Sequence, residues 1–86
     1  MDLRQLKTFV HVAELLSFTK AAALLRTSQP ALSRQIGLLE HELKTKLFHR
    51  HGHGIVLTDD GRVLLERSVR LLPEVESIRH HFQARV

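Results

Sequence analysis

The 86-residue chain contains no cysteine. Disulfides, thiolate metal sites and cysteine nucleophiles are therefore excluded, and a reducing compartment fits. No apolar run approaches the roughly 20 residues that a membrane span requires. Met1-Asp2-Leu3-Arg4 lacks the apolar core of a signal peptide. A phosphate-cradling GxxxxGK loop is missing too, as are internal repeats, low-complexity segments and domain linkers. The serines and aspartates all have capping or surface roles. That leaves no nucleophile with an orienting partner and no paired acids for catalysis. Neither an enzyme nor a cofactor is expected, and no membrane partner.

Hydrophobic residues make up 43% of the chain, enough to fold one small domain. The formal net charge is +4. It favours an anionic partner, nucleic acid ahead of a membrane surface.

Leu3, Leu6, Phe9, Val10, Ala13 and Leu16 recur at helical spacing and predict a first helix over about 3–16. Ser17 reads as the N-cap of a short second helix, about 19–25, which holds Ala21, Ala22 and Ala23. Arg26 and Thr27 make a tight connection. Ser28 caps a third helix over about 29–43, with Pro30 in its first turn. Leu32, Ile36, Leu39 and Leu43 form its buried stripe. Then the period changes. Two short strands, 47–50 and 55–57, flank a turn of His51, Gly52, His53 and Gly54. Thr58 caps a fourth helix with Asp59 and Asp60 in its first turn. The fold class is mainly α with a small β-hairpin: a winged helix-turn-helix followed by a long linker helix. Residues 1–58 form the predicted DNA-binding domain and 59–86 the linker and dimerisation helix.

Opposite the buried stripe of the third helix, at about 100° per residue, lie Pro30, Arg34, Gly37 and His41. Ser33 sits at the edge of this face and Gln29 at its start. Gln and Arg can form paired hydrogen bonds with base edges in the major groove. Gln29 suits adenine; Arg34 suits guanine or a phosphate. Gly37 has no side chain to block close approach. The amides at Ser28 and Gln29 suit a phosphate at the helix N-terminus. An ordinary solvated face, or a surface that grips a partner protein, remains the alternative.

At these residues the chain resembles the LysR-type transcriptional regulators. The matching run is Ser17-Phe18-Thr19, Ala21-Ala22, Leu25 and Ser28-Gln29-Pro30-Ala31-Leu32-Ser33-Arg34-Gln35-Ile36. It continues through Leu39-Glu40, Leu43, Leu47-Phe48, Arg50 and Leu57-Thr58 to Gly61. The resemblance implies a bacterial, cytoplasmic transcription factor that binds interrupted inverted repeats in double-stranded promoter DNA. It implies that Gln29, Pro30, Ser33 and Arg34 line the major groove. Thr19 and Lys20 would lie near phosphate, and Arg50 in the wing near backbone or minor groove. Relatives usually carry glycine where this chain has Lys44, so a different end to the third helix is expected. They often carry arginine where it has His51 and His53, so weaker, pH-dependent wing contacts are expected. The family's large C-terminal domain, which binds a small-molecule inducer, does not fit in 86 residues. The chain reads as an isolated DNA-binding module.

In the fourth helix Leu64, Leu71, Val75, Ile78 and Phe82, with Ser68 between, step by threes and fours as in a helix-pairing seam. A homodimer is expected, because this helix outruns so small a core. Pro73 predicts a kink near Leu71, or a break with restart at Pro73-Glu74. His49, His51 and His53 alternate as ligands might, but the intervening glycines favour a turn near phosphate or water; no metal is expected. His80 and His81 read as solvated surface.

Overall fold

Four helices and one hairpin follow in the order α1 (Leu3–Leu15), α2 (Phe18–Leu24), α3 (Gln29–Leu43), β1 (Phe48–His51), β2 (Gly54–Leu57) and α4 (Asp59–Gln83). The computed structural model describes residues 1–85. Val86, the end of the predicted 59–86 segment, lies outside the described residues.

Each helix opens on a side-chain acceptor. Ser17 Oγ accepts from the Lys20 amide at 3.1 Å, Ser28 Oγ from Ala31 at 3.2 Å and Thr58 Oγ1 from Gly61 at 2.9 Å. At α1, Asp2 Oδ1 accepts from the Gln5 amide at 2.8 Å while Gln5 Oε1 accepts from the Asp2 amide at 3.1 Å. That reciprocal pair is a capping box. Each such cap is worth about 1 kcal/mol.

The helix ends are less orthodox. Leu16, Arg26 and Lys44 all take positive φ, at 48°, 55° and 57°. A left-handed residue turns the chain sharply and lets the last carbonyls find donors. The Thr27 amide reaches Ala22 O at 3.0 Å, and the Thr45 amide reaches Glu40 O at 3.1 Å. Lys44 thus adopts the conformation that glycine usually supplies, and the expected change in how α3 ends does not occur. Leu16, placed by periodicity on the buried face, is instead an exposed cap, while Val12 is fully buried.

β1 begins and ends one residue later than expected, and β2 begins one residue earlier while ending at Leu57 as expected. Phe48 pairs with Leu57, His49 with Val56, Arg50 with Ile55 and His51 with Gly54. Only Gly52 and His53 remain as the loop, a common length for a hairpin. Gly54, at φ 144°, closes it.

Phe9, Val12 and Ala13 of α1, Phe18, Ala21 and Ala22 of α2, and Leu32, Ile36 and Leu39 of α3 meet in one core with Leu47, Phe48 and Ile55. Small alanines let α2 lie close to its neighbours. Phe48 brings the hairpin into this core, with its ring 5.5 Å from Phe9 and 5.9 Å from Phe18. Leu43 is only partly buried at the rim.

α4 leans on the same core through Leu64 and Leu65, and Ser68 is buried with no hydrogen-bond partner for its hydroxyl. Lys7 on α1 and Glu76 on α4 pair at 3.7 Å across exposed surface. The helix runs unbroken through Pro73, so the break and restart do not occur. Pro73 and Val69, whose carbonyl it cannot bond, are both exposed, and water can replace the missing donor. Among the described residues no helix is long and apolar enough to cross a membrane.

The first turn of α4 lies directly against the residue that precedes β1. A Cβ on Gly61 would overlap the Leu47 carbonyl oxygen and press on Leu57. Gly61→Ala is expected to destabilise the fold by about 1–3 kcal/mol; an unchanged Tm would remove this contact from the account. Lys44→Gly is expected to add roughly 0.5–1 kcal/mol, left-handed strain relieved less the entropy glycine loses. A lower Tm for that variant would show that the lysine side chain is stabilising.

Candidate nucleic-acid interface

α2 and α3 are joined by residues 25–28, a turn too short to let either helix move independently. Burying Leu32, Ile36 and Leu39 turns the other side of α3 outward, and Pro30, Arg34, Gly37 and His41 are all exposed there. Gln29 is exposed at the start, and Ser33 is half-buried at the edge.

Two side-chain links hold this face in position. Thr19 Oγ1 on α2 donates to Gln29 Oε1 on α3 at 3.2 Å. Arg50 Nη2 on β1 donates to Ser33 Oγ on α3 at 2.7 Å. The same guanidinium lies 4.3 Å from the centre of the Phe18 ring on α2, a contact worth about 0.5–1 kcal/mol at an exposed site. Arg50 therefore joins α2, α3 and the wing.

These links border an open groove of about 460 Å³ that includes Ser17, Thr19, Lys20, Gln29, Arg50, His51 and His53. The structure thus brings together the expected backbone contacts Thr19, Lys20, Arg50, His51 and His53. Ser28 lies at the N-terminus of α3, with its hydroxyl engaged by the Ala31 amide. The His53 amide donates to His51 Nδ1 at 3.4 Å, within the turn. His49 borders a second groove, of about 600 Å³, between α3 and β1. No three His, Cys, Asp or Glu residues are grouped as a metal site among the described residues.

Sequence reasoning missed Glu40. Its Oε2 accepts from the Leu47 amide at 2.7 Å and the Phe48 amide at 3.4 Å, fixing the wing to α3 a second time. Lys46 Nζ lies 3.9 Å from the other oxygen, and the Glu40 side chain is only 11% exposed. Glu40 stands in the run that resembles the family, but nothing local in the sequence signals a bond to amides seven and eight residues away. Phe18 as the support of Arg50 was also missed.

The expected seam on α4 divides. Leu64 packs on the chain's own core and Val75 is half-buried, whereas Leu71, Ile78 and Phe82 are exposed. Val63 and Val69 are exposed as well.

A pair of helices on a tight turn, with the second presented outward and a hairpin tied to its flank, defines the winged helix-turn-helix class. Residues 3–62 match the family of bacterial regulatory helix-turn-helix proteins of the lysR type, and the chain belongs to that family. It is 48% identical over 77 residues to the regulator XapR of Escherichia coli K12, with 90% of this chain covered. It is 46% identical over 79 residues to the probable cat1 operon transcriptional activator of Acinetobacter lwoffii, with 92% covered. The chain spans 26% of the length of each of these relatives. Its fold is also that of the BenM DNA-binding domain crystallised with benA site 1 DNA. There the TM-score is 0.94 at 38% identity, and all of both chains is covered.

Glu40→Ala is expected to leave two part-buried amides without their acceptor and to cost about 1–3 kcal/mol. Amide exchange at Leu47 and Phe48 should quicken by more than the loss of global stability explains. Unaltered relative protection would mean that Glu40 does not hold the wing.

Proposed function

We propose that this chain reads double-stranded DNA sequence-specifically for a LysR-type transcription regulator, as a homodimer on a promoter inverted repeat. The outward face of α3, with a wing locked to its edge through Arg50, carries this reading. Such a helix enters a major groove while the wing lies against the neighbouring backbone.

Gln29, Pro30, Ser33 and Arg34 are assigned to base edges. The existing links leave them competent. Gln29 Oε1 has a second lone pair and its NH₂ remains available, the pairing that adenine requires. Ser33 accepts from Arg50 and keeps its own hydroxyl hydrogen to donate. Thr19, Lys20, Ser28, Arg50, His51 and His53 are assigned to phosphate and sugar, which fix register without reading sequence.

Dimerisation is assigned to α4. Leu71, Ile78 and Phe82 supply the exposed apolar surface. Val75 borders it, and Leu64 anchors the helix to its own domain. In this reading residues 1–58 form the DNA-binding unit and α4 links it to its partner. A small-molecule inducer would act through a C-terminal effector domain. The protein works with DNA in the bacterial cytoplasm and has no catalytic role, in line with relatives that are transcription regulators.

Selection of bound duplexes from a random pool tests this. An enriched inverted repeat is expected, and the absence of any duplex binding would overturn the reading. Against the selected site, Arg34→Ala is expected to cost about 1–3 kcal/mol and to relax preference at one position. Equal losses on every sequence would instead assign Arg34 to phosphate.

A further inference from the structure

Gly37 stands in the interior of α3 with nothing in the fold to require it. Its φ is not positive, and a Cβ built on it meets no atom within 4 Å. Glycine in an exposed helix interior is destabilising relative to alanine. The free protein therefore bears a cost at this position with no gain in conformation or packing.

Its surroundings suggest what the space admits. The groove between α3 and β1 is bordered by Ser33, Gly37, Lys46, His49 and Arg50. A further groove, at the C-terminal end of α3, is bordered by Gly37, His41, Lys44, Thr45 and Lys46. Both include Gly37, Glu40 and Lys46, so they adjoin as one trough that runs along the flank of α3 past Gly37. Arg50, Lys46 and Lys44 are exposed along its length. Two acids approach it, and both are engaged. Glu40 is turned inward to the Leu47 and Phe48 amides, and Asp60 accepts from Thr45 Oγ1. The Lys46 side chain is 79% exposed and held only loosely, 3.9 Å from Glu40.

We infer that this trough seats one strand of the bound duplex. Its sugar-phosphate backbone passes against the main chain at Gly37, with a phosphate held by Lys46. The inference rests on the DNA-reading role proposed above; it makes Gly37, on the outward face of α3, the point where a backbone strand comes closest, and adds Lys46, which lies off that face, as a phosphate contact. A phosphodiester strand fits the chemistry: it is polyanionic, continuous, and needs both an open floor and cations at the rim.

The test measures Tm and duplex affinity for wild type, Gly37→Ala, Gly37→Leu and Lys46→Gln, using the sequence that wild type selects. Alanine and leucine are strong helix formers, so Gly37→Ala is expected to raise Tm by about 2–8 °C. Affinity is expected to fall in the order Gly, Ala, Leu, by about tenfold or more for leucine. Lys46→Gln is expected to flatten the log–log salt dependence by about 0.9, the loss of one phosphate contact. Wild type that binds duplex, matched in affinity by Gly37→Leu and in salt dependence by Lys46→Gln, would overturn this inference alone. Wild type that fails to bind duplex would overturn the DNA-reading role as well.

Discussion

The position of the Arg50 guanidinium governs the geometry of the reading surface. One planar cation rests on the Phe18 ring and donates to Ser33. Phe18 belongs to the core, against Phe48, so the support beneath Arg50 does not drift. A two-stranded hairpin is marginal by itself in water. Here it is held to α3 at two places two helical turns apart, through Ser33 at one and Glu40 at the other. Lysine at position 50 would keep the charge but lose the planar stacking and the forked donors.

The consequence is preorganisation. The face of α3, the start of α2 and the wing are already fixed relative to one another, so a ligand need not order them. Association costs fall when the binding groups are immobilised beforehand. The fold achieves this with a small core. Side-chain caps stabilise the helix starts, while left-handed Leu16, Arg26 and Lys44 tighten the turns at some strain. Compact turns keep α2 and α3 close, as the groove beside Thr19 and Gln29 requires.

What was legible in the sequence was mostly local. Ser17, Ser28 and Thr58 are short polar residues before apolar periodic runs, and their caps were readable with α3 from Gln29 to Leu43. The outward placement of Pro30, Arg34, Gly37 and His41 followed from helical periodicity alone. Tertiary features were not legible. Glu40 binds amides seven and eight residues away, across a change of secondary structure. The strand bounds moved by one residue toward the turn because the alternating stretch is short and rich in histidine and glycine. Periodicity along α4 marked apolar positions correctly, but it cannot tell an own-core contact, as at Leu64, from exposed surface, as at Ile78. Lys44 illustrates tertiary override: the tight turn into the wing imposes a left-handed residue whatever the side chain.

Salt titration of duplex affinity shows whether this surface grips phosphate. If this surface engages the phosphate backbone on both sides of a reading helix, log affinity should fall linearly with log salt, by about 0.9 for each phosphate neutralised. A slope of several units is the expected result. Affinity that does not change with salt would contradict the account and mark the face of α3 as a surface for another kind of partner.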